Sequence, residues 1–116
     1  MNCISAYIQK QGLRVPDNNT PDTPVAVKVK RMLIEMFDLS PDAVVNEAKL
    51  LHDLDLYDLE RLDLLVAWMA VFDIKSTALD EVVGPDGDGN NLMMYVRTVG
   101  EIIALTEGLT QNELKK

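Results

Sequence analysis

The segment "HDLDLYDLERLDLL", His52 to Leu65, holds the side chains best able to do chemistry in this chain. Asp53, Asp55, Asp58, Glu60 and Asp63 place five carboxylates within eleven residues, opposed only by Arg61. Two chemistries suit such a cluster: proton exchange with His52, or a grip on a basic protein surface. The first needs a nucleophile or an oriented base. His52 is the sole histidine, no cysteine stands near it in sequence, and no serine occupies a recognisable nucleophile context. A solvated or partly packed imidazole is the expectation for it. No phosphate-binding glycine loop appears either, so the chain does not read as an enzyme.

Two further sets of residues invite chemistry and then withdraw it. In "DGDGNNLMMYVR", Asp86, Asp88 and Asn90 have the 1-3-5 spacing of oxygen ligands in a calcium loop. Asn91 stands where the sharp-turn glycine belongs, and Arg97 where the bidentate glutamate belongs. A polar turn is the better account, and no metal or other cofactor is expected. Cys3 is the only cysteine, which excludes an internal disulfide and a CxxC metal site and fits a reducing compartment.

The composition sets the frame. Of 116 residues, 47% are hydrophobic and 26% charged, enough apolar material for one modest folded core. A formal charge of −8 argues against direct contact with a nucleic-acid backbone and favours basic protein partners. The longest uninterrupted apolar run, "LLVAWMAVF", is too short to span a bilayer. The N-terminus lacks the basic region of a signal peptide. A cytoplasmic protein without membrane contact is the expectation.

Several elements must position the acidic segment. Ile4, Tyr7, Ile8 and Gln11 share a helical face ending at Gly12, so a short N-terminal helix is expected. "VPDNNTPDTP" reads as a linker. The first long helix starts at Pro24 behind a cap at Asp22 or Thr23, with Val25, Val29, Met32, Leu33 and Met36 as its apolar stripe. A loop follows "DLSPD", with Val44, Ala48, Leu51 and Leu54 expected as buried anchors. A second long helix is expected over 58–72, with Asp55 or Tyr57 at its entrance and acids in the first turn, where the helix dipole favours them. "GPDGDGNN" is a turn within an irregular stretch, and "LMMYV" could be a strand or a helical turn. "TVGE", Thr98 to Glu101, is a capping box opening a last helix that reaches about Leu105.

This arrangement resembles the acyl carrier protein family. "LSPDAVVNEAKLLHDLDLYDLERLDLLVAWMAVF", Leu39 to Phe72, lies on the family pattern without a gap. Val44 precedes an "N-x-A" formed by Asn46 and Ala48; Asp53 and Leu54 follow, then the helix closing on Phe72. "TVGEII" is similar to the family's last-helix entrance. The likeness covers residues 24–106 and departs where it matters most. The family's attachment aspartate corresponds to Tyr57, its serine to Asp58, its leucine to Leu59 and its following acid to Glu60. In the family, the serine oxygen takes a phosphopantetheine arm from coenzyme A as a stable phosphodiester. A carboxylate at Asp58 would form an acyl phosphate, which water hydrolyses. No Ser, Thr or Cys lies between Val44 and Ile74 to replace it.

The resemblance implies that Asp58, Leu59, Glu60, Leu62 and Asp63 form a docking surface for a basic partner. Asp58 would supply the negative charge that a phosphodiester places there; its plainer role is a carboxylate at a helix start. Trp68 corresponds to an aliphatic position lining the family's acyl cavity, and its indole would fill that space. The second half of this helix is apolar all round and needs cover. The connection from Asp73 to Arg97, longer than the family's by roughly a dozen residues, is expected to provide it through Leu79, Val82, Val83 and the residues from Leu92 to Tyr95. If it does not, the bare patch is a partner or homodimer interface.

The fold expected is therefore all-α, mainly: an acyl-carrier-protein-like bundle of three or four helices, with room for a short β element in the 75–97 connection. Residues 1–23 would be an extension and linker, 24–106 the helical domain and 107–116 a fraying tail. The leading function is a carrier-like protein that takes no phosphopantetheine and binds a basic protein. The alternatives are a genuine carrier with an unrecognised attachment site, or an acidic mimic that inhibits a nucleic-acid-binding protein.

Overall fold

The computed structural model describes residues 3–84, 87 and 89–114. They form five α-helices and one 3-10 segment: α1 (Cys3–Lys10), α2 (Pro24–Phe37), α3 (Asp58–Phe72), α4 (Ser76–Val83), the 3-10 segment Gly89–Met94 and α5 (Val99–Leu114). The architecture is an all-α bundle. Among the described residues there is no strand; the nearest approach is an isolated antiparallel bridge between Lys49 and Thr98.

Local chemistry explains each boundary. At α2, Thr23 is the cap: its Oγ1 accepts the Ala26 N–H at 3.1 Å and donates to Glu107 Oε1 at 2.8 Å. Asp22 instead pairs with Lys30 at 2.8 Å. α2 and α3 end alike, on "FDL" and "FDI". Asp38 and Asp73 take the left-handed conformation at φ 52° and 53°. The following Leu39 and Ile74 amides reach back to Ile34 and Met69 carbonyls. An aspartate here does what glycine usually does, because its short polar side chain tolerates positive φ. α5 opens on the capping box: Thr98 Oγ1 accepts the Glu101 N–H at 3.2 Å, while Glu101 accepts the Arg97 and Thr98 amides at 2.6 and 3.3 Å.

Three expectations are revised, and the choice left open for "LMMYV" is decided. The stretch after Ile74 is not irregular: Ser76–Val83 is helical, and Leu79, Val82 and Val83 are buried. Eight residues give too short a pattern to read against the adjoining turn, and such a helix depends on tertiary packing. "LMMYV" belongs in part to the 3-10 segment rather than a strand. α5 continues past Leu105 to Leu114, with Leu109 buried. Finally, the loop anchor is Leu50, at 0% exposure, and not Leu51, at 38%. Val44, Asn46, Ala48 and Leu50 face inward alternately with exposed Val45, Glu47 and Lys49. The alternation is carried by an irregular chain with a turn at Val45–Ala48 (Ala48 N–H to Val45 O, 3.0 Å), held against the entrance of α5 by the Lys49–Thr98 bridge and the Leu50 N–H to Arg97 O bond (2.9 Å).

One core joins all five helices, from Ile4, Tyr7 and Ile8 of α1 through Trp68 of α3 to Leu105 of α5. α1 packs on α5 and α4. The proline-rich segment after it is tied down too: Asn18 and Glu47 exchange two hydrogen bonds (3.0 and 2.9 Å), and Asn46 Nδ2 donates to Asp17 O at 2.6 Å. Gly100 marks where three backbones meet. A Cβ there would sit 2.6 Å from Pro16 O and 3.0 Å from Asn46 O.

Candidate functional site

The start of α3 is held by the loop that precedes it. Leu54 and Leu56 are buried, and the Leu56 N–H donates to Leu50 O at 2.9 Å. Asp53 is committed locally, its Oδ2 accepting the Lys49 N–H at 2.7 Å. Asp55 adopts φ 56°, which turns the chain toward the helix. Tyr57 is the N-cap residue, in extended conformation and without a side-chain cap bond. Its phenol cannot reach the first amides as a short hydroxyl or carboxylate would. The first turn is therefore stabilised chiefly through the acids at Asp58 and Glu60 acting on the helix dipole.

The sequence-predicted docking residues fall largely on one accessible surface. Asp58, Leu59, Leu62 and Asp63 are exposed, Leu59 at 75%; Glu60 is half-buried. Arg61, the only cation in the segment, does not neutralise its neighbours. Its guanidinium donates from Nε to Leu56 O at 3.1 Å and from Nη1 to Met94 O at 3.4 Å. Spending the cation on backbone carbonyls leaves the acidic face uncompensated.

The opposite side of α3 is core. Leu64, Leu65 and Trp68 are buried, and Trp68 Nε1 donates to Thr106 Oγ1 at 2.7 Å. Thr106 passes a second bond to Ile102 O at 2.6 Å, so the indole clamps α3 onto α5. The expectation that the 73–97 connection covers the apolar half of α3 holds on one side only. The 3-10 segment packs on α3, with Leu92 and Met93 buried. Outside, Val66 stays 69% exposed and Val71 half exposed, with Ala70 beside them. The connection turns its own apolar residues into the common core through α4, so too few remain to wrap the helix.

Leu59, Leu62 and Val66 thus form a bare stripe at i, i+3 and i+7, bordered by Asp58 and Asp63. Val66 belongs to this stripe and was absent from the sequence-derived set; Val71 is exposed too, but sits about 140° around the helix from Val66. The signal was present, since a helix apolar all round must show some apolar face somewhere. Only the packing decides which. His52 is exposed and lies apart from this stripe, on a groove behind the loop.

Asp86, Asp88 and the Asn90 side chain lie outside the described residues. Among the described residues, no three His, Cys, Asp or Glu side chains gather as metal ligands. Burial pushes the Cys3 thiol above its ordinary pKa, against smaller opposing effects of the Cys3 and Ile4 amides, so it is a poor nucleophile. No helix among the described residues is long and apolar enough to cross a membrane. Compared with protein-family models, curated proteins and solved structures, the chain matches none.

Proposed function

We propose that this chain is a carrier-like docking protein that takes no phosphopantetheine and binds a basic surface of a partner through the start of α3. The observation that supports this most directly is the bare stripe of Leu59, Leu62 and Val66 beside Asp58 and Asp63, with Arg61 withdrawn. The apolar residues would supply contact area, and the acids would set register and raise the association rate against Lys- and Arg-rich surfaces. Asp58 would hold a permanent negative charge where a carrier protein bears its phosphodiester. From Val44 to Ile74 no Ser, Thr or Cys stands in for the attachment serine. A second copy of the chain fits the stripe less well, because a symmetric α3–α3 contact opposes like charges on chains of −8.

Affinity capture tests the reading with wild type, an Asp58→Lys/Asp63→Lys variant and a Leu59→Gln/Val66→Gln variant. Both variants should keep the wild-type fold by circular dichroism and lose the basic partner retained by wild type. Equal recovery by all three removes the proposal. Incubation with coenzyme A and a phosphopantetheinyl transferase should leave the intact mass unchanged; a stable gain would make the chain a true carrier.

A further inference from the structure

A groove of about 640 Å³ opens between the 38–57 loop, the start of α3 and the entrance of α5. Its size falls in the range of small-molecule sites, which are mainly apolar with a few placed polar groups. Leu51, Met94 and Val96 give it apolar wall, and Lys49, His52, Arg61 and Arg97 line it. On a chain with 19 acids against 11 Lys and Arg, three of those cations and the only histidine share one depression. Charge gathered against the sign of the whole molecule needs a reason.

The cations are not consumed by the protein. Among the described residues, the salt bridges are Lys30–Asp22 and Arg97–Glu101, so Lys49, His52 and Arg61 have no carboxylate partner. Arg61 is half-buried, and its two bonds to Leu56 O and Met94 O fix the guanidinium plane without cancelling its charge. Neither bond uses Nη2, which remains a charged donor for a carboxylate or phosphate oxygen. Glu101 is the one acid lining the groove. It is 4% exposed, accepts the Arg97 and Thr98 amides, and lies 3.6 Å from the Arg97 guanidinium. Its charge is thereby answered inside the protein, while the Arg97 side chain stays 70% exposed at the rim.

We propose that this groove binds a small amphiphilic anion, its carboxylate or phosphate head against Arg61, Lys49 and Arg97 and its short apolar body against Leu51, Met94 and Val96. The site takes none of the docking residues Asp58, Leu59, Glu60, Leu62, Asp63 and Val66, so either can fail without the other. The test is an NMR titration with decanoate and with decanol. It is followed at the His52 ring, unambiguous as the only histidine, and at the Arg61 side-chain N–H. Decanoate should saturate with shifts at both reporters and bind at least about tenfold more tightly than decanol. Raising salt from about 50 to about 500 mM should weaken it. Because Arg61 also holds backbone, the main variant is Lys49→Gln/Arg97→Gln at the exposed rim. It should keep the fold and lose at least about tenfold in affinity, and Arg61→Lys should weaken binding as well, because an ammonium lacks the planar donors that hold two carbonyls and a ligand at once. Equal affinity for decanoate and decanol, shifts confined to Leu59 and Val66, or an unchanged double variant would each overturn the proposal. So would tighter binding of a Glu-rich octapeptide than of decanoate, which would make the groove a peptide site.

Discussion

α5 and α3 both carry more apolar residues than one face can hold, yet one is enclosed and the other is left half bare. In α5, Val99, Ile102, Ile103, Ala104, Leu105 and Leu109 are all buried. In α3, Leu64, Leu65 and Trp68 are buried, while Leu59, Leu62, Val66 and Val71 face outward. The difference lies in what the chain winds over each. α5 receives α1 on one side and α2 on another, and the segment around Pro16 crosses its first turn at Gly100. Gly108 lets α1 come close, since a Cβ there would lie 2.9 Å from the Leu13 side chain and 3.1 Å from the Tyr7 ring. α3 receives α2 and the 3-10 segment on its inner side. Apolarity beyond one face therefore states a demand for cover, and the topology decides whether that demand is met internally or offered to another molecule.

Substitutions can break this contrast at graded cost. The largest effect is expected at the clamp between the two helices. Trp68→Ala removes a fully buried indole and leaves the Thr106 hydroxyl with one partner, which should lower urea-unfolding stability by about 3–5 kcal/mol. Next comes the cover of α5. Gly100→Ala forces a methyl group against the Pro16 and Asn46 carbonyls, which are backbone and cannot swing aside. A loss of about 2–3 kcal/mol is expected, together with faster amide exchange along residues 13–20.

The outward face of α3 should behave in the opposite way. Leu59→Gln and Val66→Gln are each expected to shift the unfolding midpoint by no more than about 0.5 kcal/mol. A loss of several kcal/mol at either position would mean that the stripe is covered within the folded chain. The smallest effect concerns acid. Asp17 is held below its ordinary carboxylate pKa, first by the Thr20 hydroxyl and then by the Asn19 amide. A carboxylate with a lowered native pKa stabilises the fold above its unfolded value, and the contribution fades as pH falls through the native one. Asp17→Asn should therefore flatten the acid limb of a stability–pH curve slightly, leaving stability near neutral pH a little lower.

Much of this was legible before any coordinates. The start of α2 at Pro24, the span of α3 and the capping box at Thr98 and Glu101 all follow from local rules, because caps, breakers and the 3.6-residue period act within a few residues of themselves. The acids at the start of α3 were visible for the same reason. α4 was not, since eight residues beside a glycine-rich turn carry too weak a local signal to stand without partners. The inward choice of Leu50 over Leu51 was also hidden, because it is set by the bonds that tie Ala48 and Leu50 to Val99 and Arg97, residues distant in sequence.

By itself, then, the sequence determined that the chain is helical, where its long helices begin, and that α3 starts on Asp58 with no serine, threonine or cysteine near its entrance. The tertiary structure alone decided that residues 13–20 close over α5, that α3 keeps an uncovered side, and that Lys49, His52, Arg61 and Arg97 meet around one groove. Helix starts are settled by neighbours along the chain. Cover and charge assembly depend on residues brought together from distant positions, and no local pattern records that proximity.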